Sequence, residues 1–302
     1  MNFNQLIKDP IQFRAVSTLT IDEFYELVEI FSYFWEVETK YKTFSGKQRF
    51  KKLSPNTKQL ATIEEKLLFI LIFFKSNPTQ HILGAMFEMS QSAANHWIKR
   101  LLPLLEKSLK ELKMLPERNP QSVVYQKDKE LLMDATERPI SRSTDNETQQ
   151  FYYSGKKKRH TVKNNLVVTP CKLIRYLGKT WEGKKNDKKI AEEEKVCFRA
   201  GITLRKDLGY IGYIPDNVHI IESIKKKKGV ELTACERLWN RVASSARVAV
   251  EHAISGVKRC RIVQEINRLR IEQTLDSVMV IACGLHNFRV SNRTACNLKN
   301  YP

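Results

Sequence analysis

The stretch Leu131-Leu-Met-Asp-Ala-Thr-Glu137 decides how this chain is read. Its apolar run reads as a buried strand over residues 130–133, ending at Asp134. Two more acids stand in contexts as distinctive. Asp207 ends the short strand expected at 202–206 and opens Asp-Leu-Gly-Tyr-Ile-Gly-Tyr (207–213), a strand running into a glycine turn. Glu251 lies in Arg-Val-Ala-Val-Glu-His-Ala-Ile-Ser-Gly-Val-Lys-Arg (247–259). That segment belongs to a helical pattern from Leu232 to Arg259, continuous or joined near Ser244-Ser245. Three carboxylates that converge make a hard, oxygen-rich site suited to Mg²⁺ or Mn²⁺.

Helix geometry tests the third acid. At about 100° per residue, Arg247 lies about 40° from Glu251, and Lys258 about 20° from it in the same sense. One face therefore carries Arg, Glu and Lys together. Alone, Arg247 and Glu251 are an i,i+4 ion pair worth about 0.3–0.5 kcal/mol. Beside Asp134 and Asp207, the same face suits a site that holds both a cation and phosphates.

Working outward, residues 151–170 read as two β segments about the Ser154-Gly155 turn, with Asn164-Asn165 as another turn. Residues 171–178 and 218–224 read as strands, and 187–200 and 273–289 as helices. This mixture points to an α/β domain with a mixed sheet over 119–302. Pro116 and Pro120 mark the boundary. Residues 1–118 are helical by pattern, with one or two packed helices in 11–42 and a polar loop at 43–58.

Within 62–100 the order is an apolar helix opened by Thr62 and stopped at Asn77-Pro78, then a short helix opened by Thr79. Ile82, Leu83, Met86 and Phe87 are expected on one face of the short helix. A tight connection at Glu88-Met89 leads to a helix capped by Ser90, which Pro103 is expected to bend or end. That order is a helix-turn-helix pattern. Gln91, Ser92, Asn95 and Lys99 are then the groove-facing candidates, while Ala94, Trp97 and Ile98 pack inward.

The composition agrees with a polyanionic partner. The 302 residues carry 52 Lys/Arg against 33 Asp/Glu, a formal charge of +19. The run Lys156-Lys157-Lys158-Arg159 concentrates this excess. The longest apolar run, Leu67 to Phe74, is far short of the ~20 residues a membrane span needs. The six cysteines form no CxxC pair and there is no HExxH, so reduced thiols and a cytoplasmic location are expected.

Together these residues resemble a family. Asp134-Ala-Thr-Glu-Arg-Pro, Tyr153-Ser-Gly-Lys-Lys-Lys-Arg-His160-Thr, Asp207-Leu-Gly-Tyr, the Glu251 segment and Ala282-Cys-Gly-Leu-His-Asn-Phe288 resemble bacterial insertion-sequence transposases with an Asp-Asp-Glu triad. The similarity is to the insertion-sequence-five group, related to Harbinger-type elements, over roughly residues 55–290. It implies a ribonuclease H-like catalytic domain, with Asp134, Asp207 and Glu251 as catalytic metal ligands. It further implies two Mg²⁺ or Mn²⁺ ions in the DNA-bound state, and double-stranded DNA (element ends and target) as partner. A homodimer or larger synaptic complex, nucleoid-associated when bound, also follows from it. Arg247, Lys258 and Arg259 would position phosphates, and Lys156 to His160 would run beside the active site. Family members often carry His-Asp where this chain has Asn186-Asp187, which makes Asp187 a rival or auxiliary acid. Two other readings stay open: an inactive or domesticated relative that only binds specific DNA sequences, and a plain metal-dependent nuclease.

Overall fold

Thr62 and Glu65 close the first turn of a buried helix reciprocally, each side chain accepting from the other's backbone N–H. In the computed structural model, which describes residues 3–41, 48, 59–125, 127–226, 229–266 and 272–293, this helix is one of ten. The polar loop expected at 43–58 lies, apart from residue 48, outside the described residues. The chain forms two units. The first gathers Met1–Leu115 with Lys258–Gln264 and Ser277–Asn292, and the second holds Pro116–Val257, Glu265–Asp276 and Arg293–Pro302. The sequence suggested one passage near 118. It did not anticipate the two segments that return to the first unit.

The first unit opens with α1 (Phe3–Leu6), α2 (Pro10–Ser17) and α3 (Ile21–Tyr41). Then come α4 (Ile63–Ser76), α5 (Gln80–Met86) and α6 (Gln91–Glu111). Leu67 to Phe74 are all buried, so α4 is apolar all round and forms the unit's axis. It ends at Asn77, whose left-handed backbone caps the helix before Pro78. Lys66 is buried as well. Its ammonium donates to the carbonyls of Leu60, Ala61 and Thr62 and lies 4.9 Å from the centre of the Trp35 ring. Helix α6 runs straight through Pro103 to Glu111, beyond the expected stop. The proline sits on the exposed side while Leu101, Leu102, Leu104 and Leu105 stay buried, and that apolar packing outweighs one lost hydrogen bond.

The second unit is built on β1 (Glu130–Pro139), β2 (Tyr153–Ser154) and β3 (Arg159–Val168). To these it adds β4 (Ile174–Leu177), β5 (Trp181–Glu182), β6 (Thr203–Lys206) and β7 (His219–Ile221). Helices α7 (Asn146–Tyr152), α8 (Asp187–Glu194) and α9 (Ala234–Val257) accompany the sheet, and α10 (Glu272–Arg293) closes the chain. The sheet order is β2-β3-β1-β6-β7, with β4 and β5 also on β3. Strands β1 and β3 are antiparallel, whereas β1, β6 and β7 are parallel, giving the expected mixed α/β arrangement. The core beneath it includes Leu131, Met133, Val167, Tyr176, Phe198, Leu204 and Tyr210.

Two expectations about the strands are corrected. Strand β1 does not stop at Asp134 but continues to Pro139, because Thr136 and Arg138 are buried in the sheet despite their polarity. The terminal nitrogens of Arg138 donate to Asn164 at 2.9 Å and to the Leu275 carbonyl at 3.1 Å. Asn164 and Asn165 are not a turn; both are fully buried in mid-β3. Asn164 donates to the carbonyls of Gly178 and Lys179 and to the Thr180 hydroxyl, tying β3 to the segment before β5. Residues 234–257 form one continuous helix. Cys171 carries a disulfide, against the expectation of reduced thiols throughout, while Cys197, Cys235, Cys260 and Cys283 are free.

Candidate active site

Sheet register brings the first two acids together. Met133 on β1 pairs in parallel with Lys206 on β6, so Asp134 and Asp207 are the next residues on adjacent strand paths. Asp134 remains within the strand, opposite Leu166 of β3, and its Oδ1 accepts from the Ala135 N–H at 2.7 Å. Asp207 leaves its strand as the cap of a short 3-10 turn, Leu208–Tyr210, with Oδ1 accepting from the Leu208 N–H at 2.6 Å. Below that turn, Tyr210 is fully buried and its hydroxyl donates to Asn165 on β3. The Lys206 ammonium donates to the Tyr210 carbonyl at 3.0 Å from the other side. The Asp207 turn is therefore anchored to the sheet through Tyr210.

The carboxylates are balanced by cations from two elements. Arg247 on α9 reaches Asp207 Oδ1 at 2.9 Å, with its other terminal nitrogen 4.0 Å from Glu251 Oε1. One guanidinium thus spans the second and third acids, as the i,i+4 spacing suggested. Glu251 itself is exposed on α9, a helix that packs on β1, β3 and β6.

The auxiliary acid is also in this neighbourhood. Asn186 caps α8 and places Asp187 in its first turn, where the helix dipole favours a negative charge. Lys163 of β3 holds Asp187 Oδ1 at 2.9 Å. Asp187 Oδ2 would lie 2.8 Å from a Cβ at Gly209, so the glycine of the Asp207 turn is what admits Asp187. Asp187 is thereby an addition to Asp134 and Asp207, seated against their turn.

Burial dominates the electrostatics. Desolvation raises the Asp134 carboxyl from 3.8 to about 6. The Ala135 N–H and Arg247 oppose the rise, and the negative charges of Asp207 and Asp187 reinforce it. A carboxylate of this kind fits a bound cation, which would supply the missing counter-charge. The donor set is all oxygen, as Mg²⁺ or Mn²⁺ requires. Among the described residues, however, no three Asp, Glu, His or Cys side chains converge closely enough to share one ion. Asp134 and Asp207 follow paired residues on adjacent strands, and Arg247 lies between Asp207 and Glu251.

The expected nucleic-acid contacts divide. Gln91, Ser92 and Lys99 are exposed on α6, and Ala94, Trp97 and Ile98 are buried, as the pattern required. Asn95 is half-buried, because Gln80 at the start of α5 donates to it at 3.2 Å while accepting from Gln91. That network locks the two helices. Their turn is tight: Met89 N–H donates to the Gly84 carbonyl at 2.9 Å, and a Cβ at Gly84 would meet the Met89 oxygen at 2.5 Å. On α5, Leu83 is buried but Ile82 is 55% exposed, so Ile82 does not share the inward face expected for it. Lys156, Lys157, Lys158 and Arg159 lie exposed at the turn between β2 and β3, and His160 is half-buried edge-on to Tyr153. Arg159 is seven residues along β3 from the partner of Asp134, about 23 Å at ~3.3 Å per residue. The basic turn is therefore remote from the acids along the strand, not beside them. Lys258 and Arg259 fall beyond the end of α9, in the segment that belongs to the first unit.

Two features escaped the sequence reading. Lys163 stood in an alternating strand pattern with nothing to name its partner. The basic segment 180–186 had no evident purpose; here Lys185 lies over the Trp181 ring at 3.6 Å and pairs with Glu193, and Lys184 lies over Phe151. These lysines cover aromatic rings at the sheet edge.

Comparison with known proteins finds relatives over most of the chain. A protein of Microchaete diplosiphon, named as a probable transposase for insertion sequence element IS702, is 26% identical over 242 residues. The match covers 80% of this chain and 86% of that protein. A Streptomyces albus G protein, named with similar reserve as a transposase for insertion sequence element IS112, is 24% identical over 231 residues. That match covers 76% of this chain and 81% of the relative. No solved structure matches. Residues 58–111 match the helix-turn-helix of DDE superfamily endonucleases. Residues 133–287, from the strand that bears Asp134 to the last helix, match the model of the DDE superfamily endonuclease itself, and the chain belongs to that family.

Proposed function

We propose that this protein is a DNA transposase that binds the terminal inverted repeats of its own element and cuts and joins DNA strands there. The observation that carries the reading is the β1–β6 register, which sets Asp134 beside Asp207, with Arg247 tying Asp207 toward Glu251. Asp134, Asp207 and Glu251 are the ligands for divalent ions, Mg²⁺ or Mn²⁺. Two such ions, when bound, supply a water of lowered pKa and Lewis-acid stabilisation of the scissile phosphate and leaving oxygen.

The protein's own side chains do the rest. Asp134 stands on a rigid strand, and Asp207 on a turn pinned through Tyr210 and Lys206, so both carboxylates are preorganised. Arg247 holds Asp207 in place and is positioned to meet phosphate oxygens when Glu251 turns inward. Lys163 fixes Asp187, whose charge keeps the region attractive to cations. The exposed face of α6 reads the repeat, and the basic turn before β3 contacts DNA further from the cut. Synapsis of two element ends calls for a dimer or larger complex.

A second reading, an inactive relative that binds specific DNA only, is favoured by one observation: among the described residues no three Asp, Glu, His or Cys side chains gather closely enough to share one ion. One experiment separates the two. The purified protein is incubated with DNA carrying the ends that flank its gene, with Mg²⁺ or Mn²⁺, beside Asp134→Ala. Metal-dependent nicking or joining by the wild type alone, with end binding retained in the variant, is the expected result. Cleavage by Asp134→Ala would refute the catalytic assignment, and binding without cleavage by the wild type would establish the second reading.

A further inference from the structure

Within the first unit, α2, the start of α3 and the end of α4 enclose an open pocket of about 590 Å³. Its walls are apolar where Ile11, Ala15 and Ile21 face it, and three cations line it: Arg14, Lys75 and Arg259. No carboxylate lines the pocket, and among the described residues none of these cations has a carboxylate partner. Their environment adds to the excess. Burial lowers the Lys75 pKa below its ordinary value; the Cys260 thiol opposes this, and Arg289, Arg259 and Arg261 push the same way. Cations gathered this closely without a counter-ion repel one another, and an anion seated among them would relieve the repulsion.

The shape narrows the anion. A lone phosphate would leave most of the volume empty, whereas pockets of about 300–1,000 Å³ suit ligands with an organic body. Apolar walls beside three cations match a phosphate carried on a sugar. Arg259 matters here, because the sequence placed it with Glu251 as a phosphate contact, whereas it lines this pocket in the other unit.

We propose that this pocket seats one sugar-phosphate unit of a DNA strand, with Arg14, Lys75 and Arg259 around the phosphate and Ile11, Ala15 and Ile21 against the deoxyribose. The proposal rests on the reading of the protein as DNA-acting. It adds a backbone anchor separate from the groove-facing side of α6.

The test uses the full chain. Affinity for a duplex carrying the element ends is measured by fluorescence anisotropy across a salt series, for wild type, Arg14→Gln, Lys75→Gln and the two combined. Lys113→Gln, an exposed cation outside the pocket, is the comparison. Each pocket variant is expected to reduce the slope of log K against log salt by about one, and the double variant by about two, with Lys113→Gln unchanged. Thermal midpoints equal to wild type exclude misfolding as the cause, and Arg14→Lys restores the slope. Wild-type binding with unchanged slopes in the pocket variants overturns the pocket and leaves the DNA reading intact. An equal loss in Lys113→Gln also overturns it, since the effect would then be diffuse charge. Failure of the wild type to bind the duplex overturns the DNA reading and this ligand with it. In a parallel arm, deoxyadenosine monophosphate is titrated by calorimetry. Lys75-dependent binding of the free nucleotide, with duplex affinity unaltered in the variants, would replace the strand by a small phosphate ligand.

Discussion

Replacing Asp134 by asparagine should make the protein more stable at neutral pH, not less. The carboxyl is raised from 3.8 to about 6 by burial, so the folded state prefers it protonated. Its contribution is fully present below pH 3.8 and is lost as pH rises through about 6. Each pKa unit is worth about 1.4 kcal/mol, so the ionised carboxylate costs on the order of 2–3 kcal/mol, less where solvent reaches the group. Asparagine keeps the shape and stays neutral. Urea unfolding of wild type and Asp134→Asn at pH 4 and pH 7.5 measures this directly. The variant's advantage should be small at pH 4 and reach about 1–3 kcal/mol at pH 7.5. Mg²⁺ should then raise the wild-type midpoint at pH 7.5 and leave the variant nearly unmoved, because ligand binding stabilises only the state that binds. A variant less stable than wild type at pH 7.5, or one equally responsive to Mg²⁺, would refute the account of Asp134 as a desolvated cation ligand.

Two other outcomes follow from packing. Gly84→Ala places a methyl 2.5 Å from the Met89 carbonyl, so the turn between α5 and α6 must open. A loss of about 1–3 kcal/mol in unfolding and at least tenfold weaker binding to element ends are expected; unchanged values in both assays would show that the turn is not rigid. Burial lowers Lys66 from 10.5 to about 8, so protonation is disfavoured in the folded state and stability should rise between about pH 8 and 10.5. Lys66→Met should flatten that rise, and an identical pH profile in the variant would remove Lys66 as its source.

The sequence made the helix starts legible, because caps are local. Thr62, Thr79 and Ser90 each place an oxygen three residues before an orphan N–H, and each is a cap in the structure. Asp207 was legible for a similar reason: a strand, an acid and a glycine turn are contiguous. Long-range satisfaction was not. Asn164 and Asn165 looked like turn formers because asparagine usually is one. Their role depends on Arg138, Thr180, Glu194 and Tyr210, up to 45 residues away. The same limit hid the reach of β1, which pairs with β3 as far as Pro139 and whose Arg138 donates to Asn164 there. Pro103 misled in the opposite sense, since a local rule was outweighed by the buried leucines around it. Of the triad, the pairing of Arg247 with Glu251 could be computed from helix angles. The nearer partner, Asp207, could not, since nothing local relates a strand end to a helix 40 residues later.

The first unit has a consequence for how the chain is made. Its core is closed by Ser277–Asn292, where Val278, Met279, Leu285 and Phe288 are buried and Asn287 donates to the Met114 carbonyl at 2.9 Å. Those residues leave the ribosome more than 150 residues after Leu115. At about 5–20 residues per second, the helix-turn-helix unit waits on the order of 10–30 s for its last piece. The sheet carrying Asp134 and Asp207 is completed first. Synthesis thus sets an order in which every strand of the sheet is made before the helical unit receives the segment that closes its core.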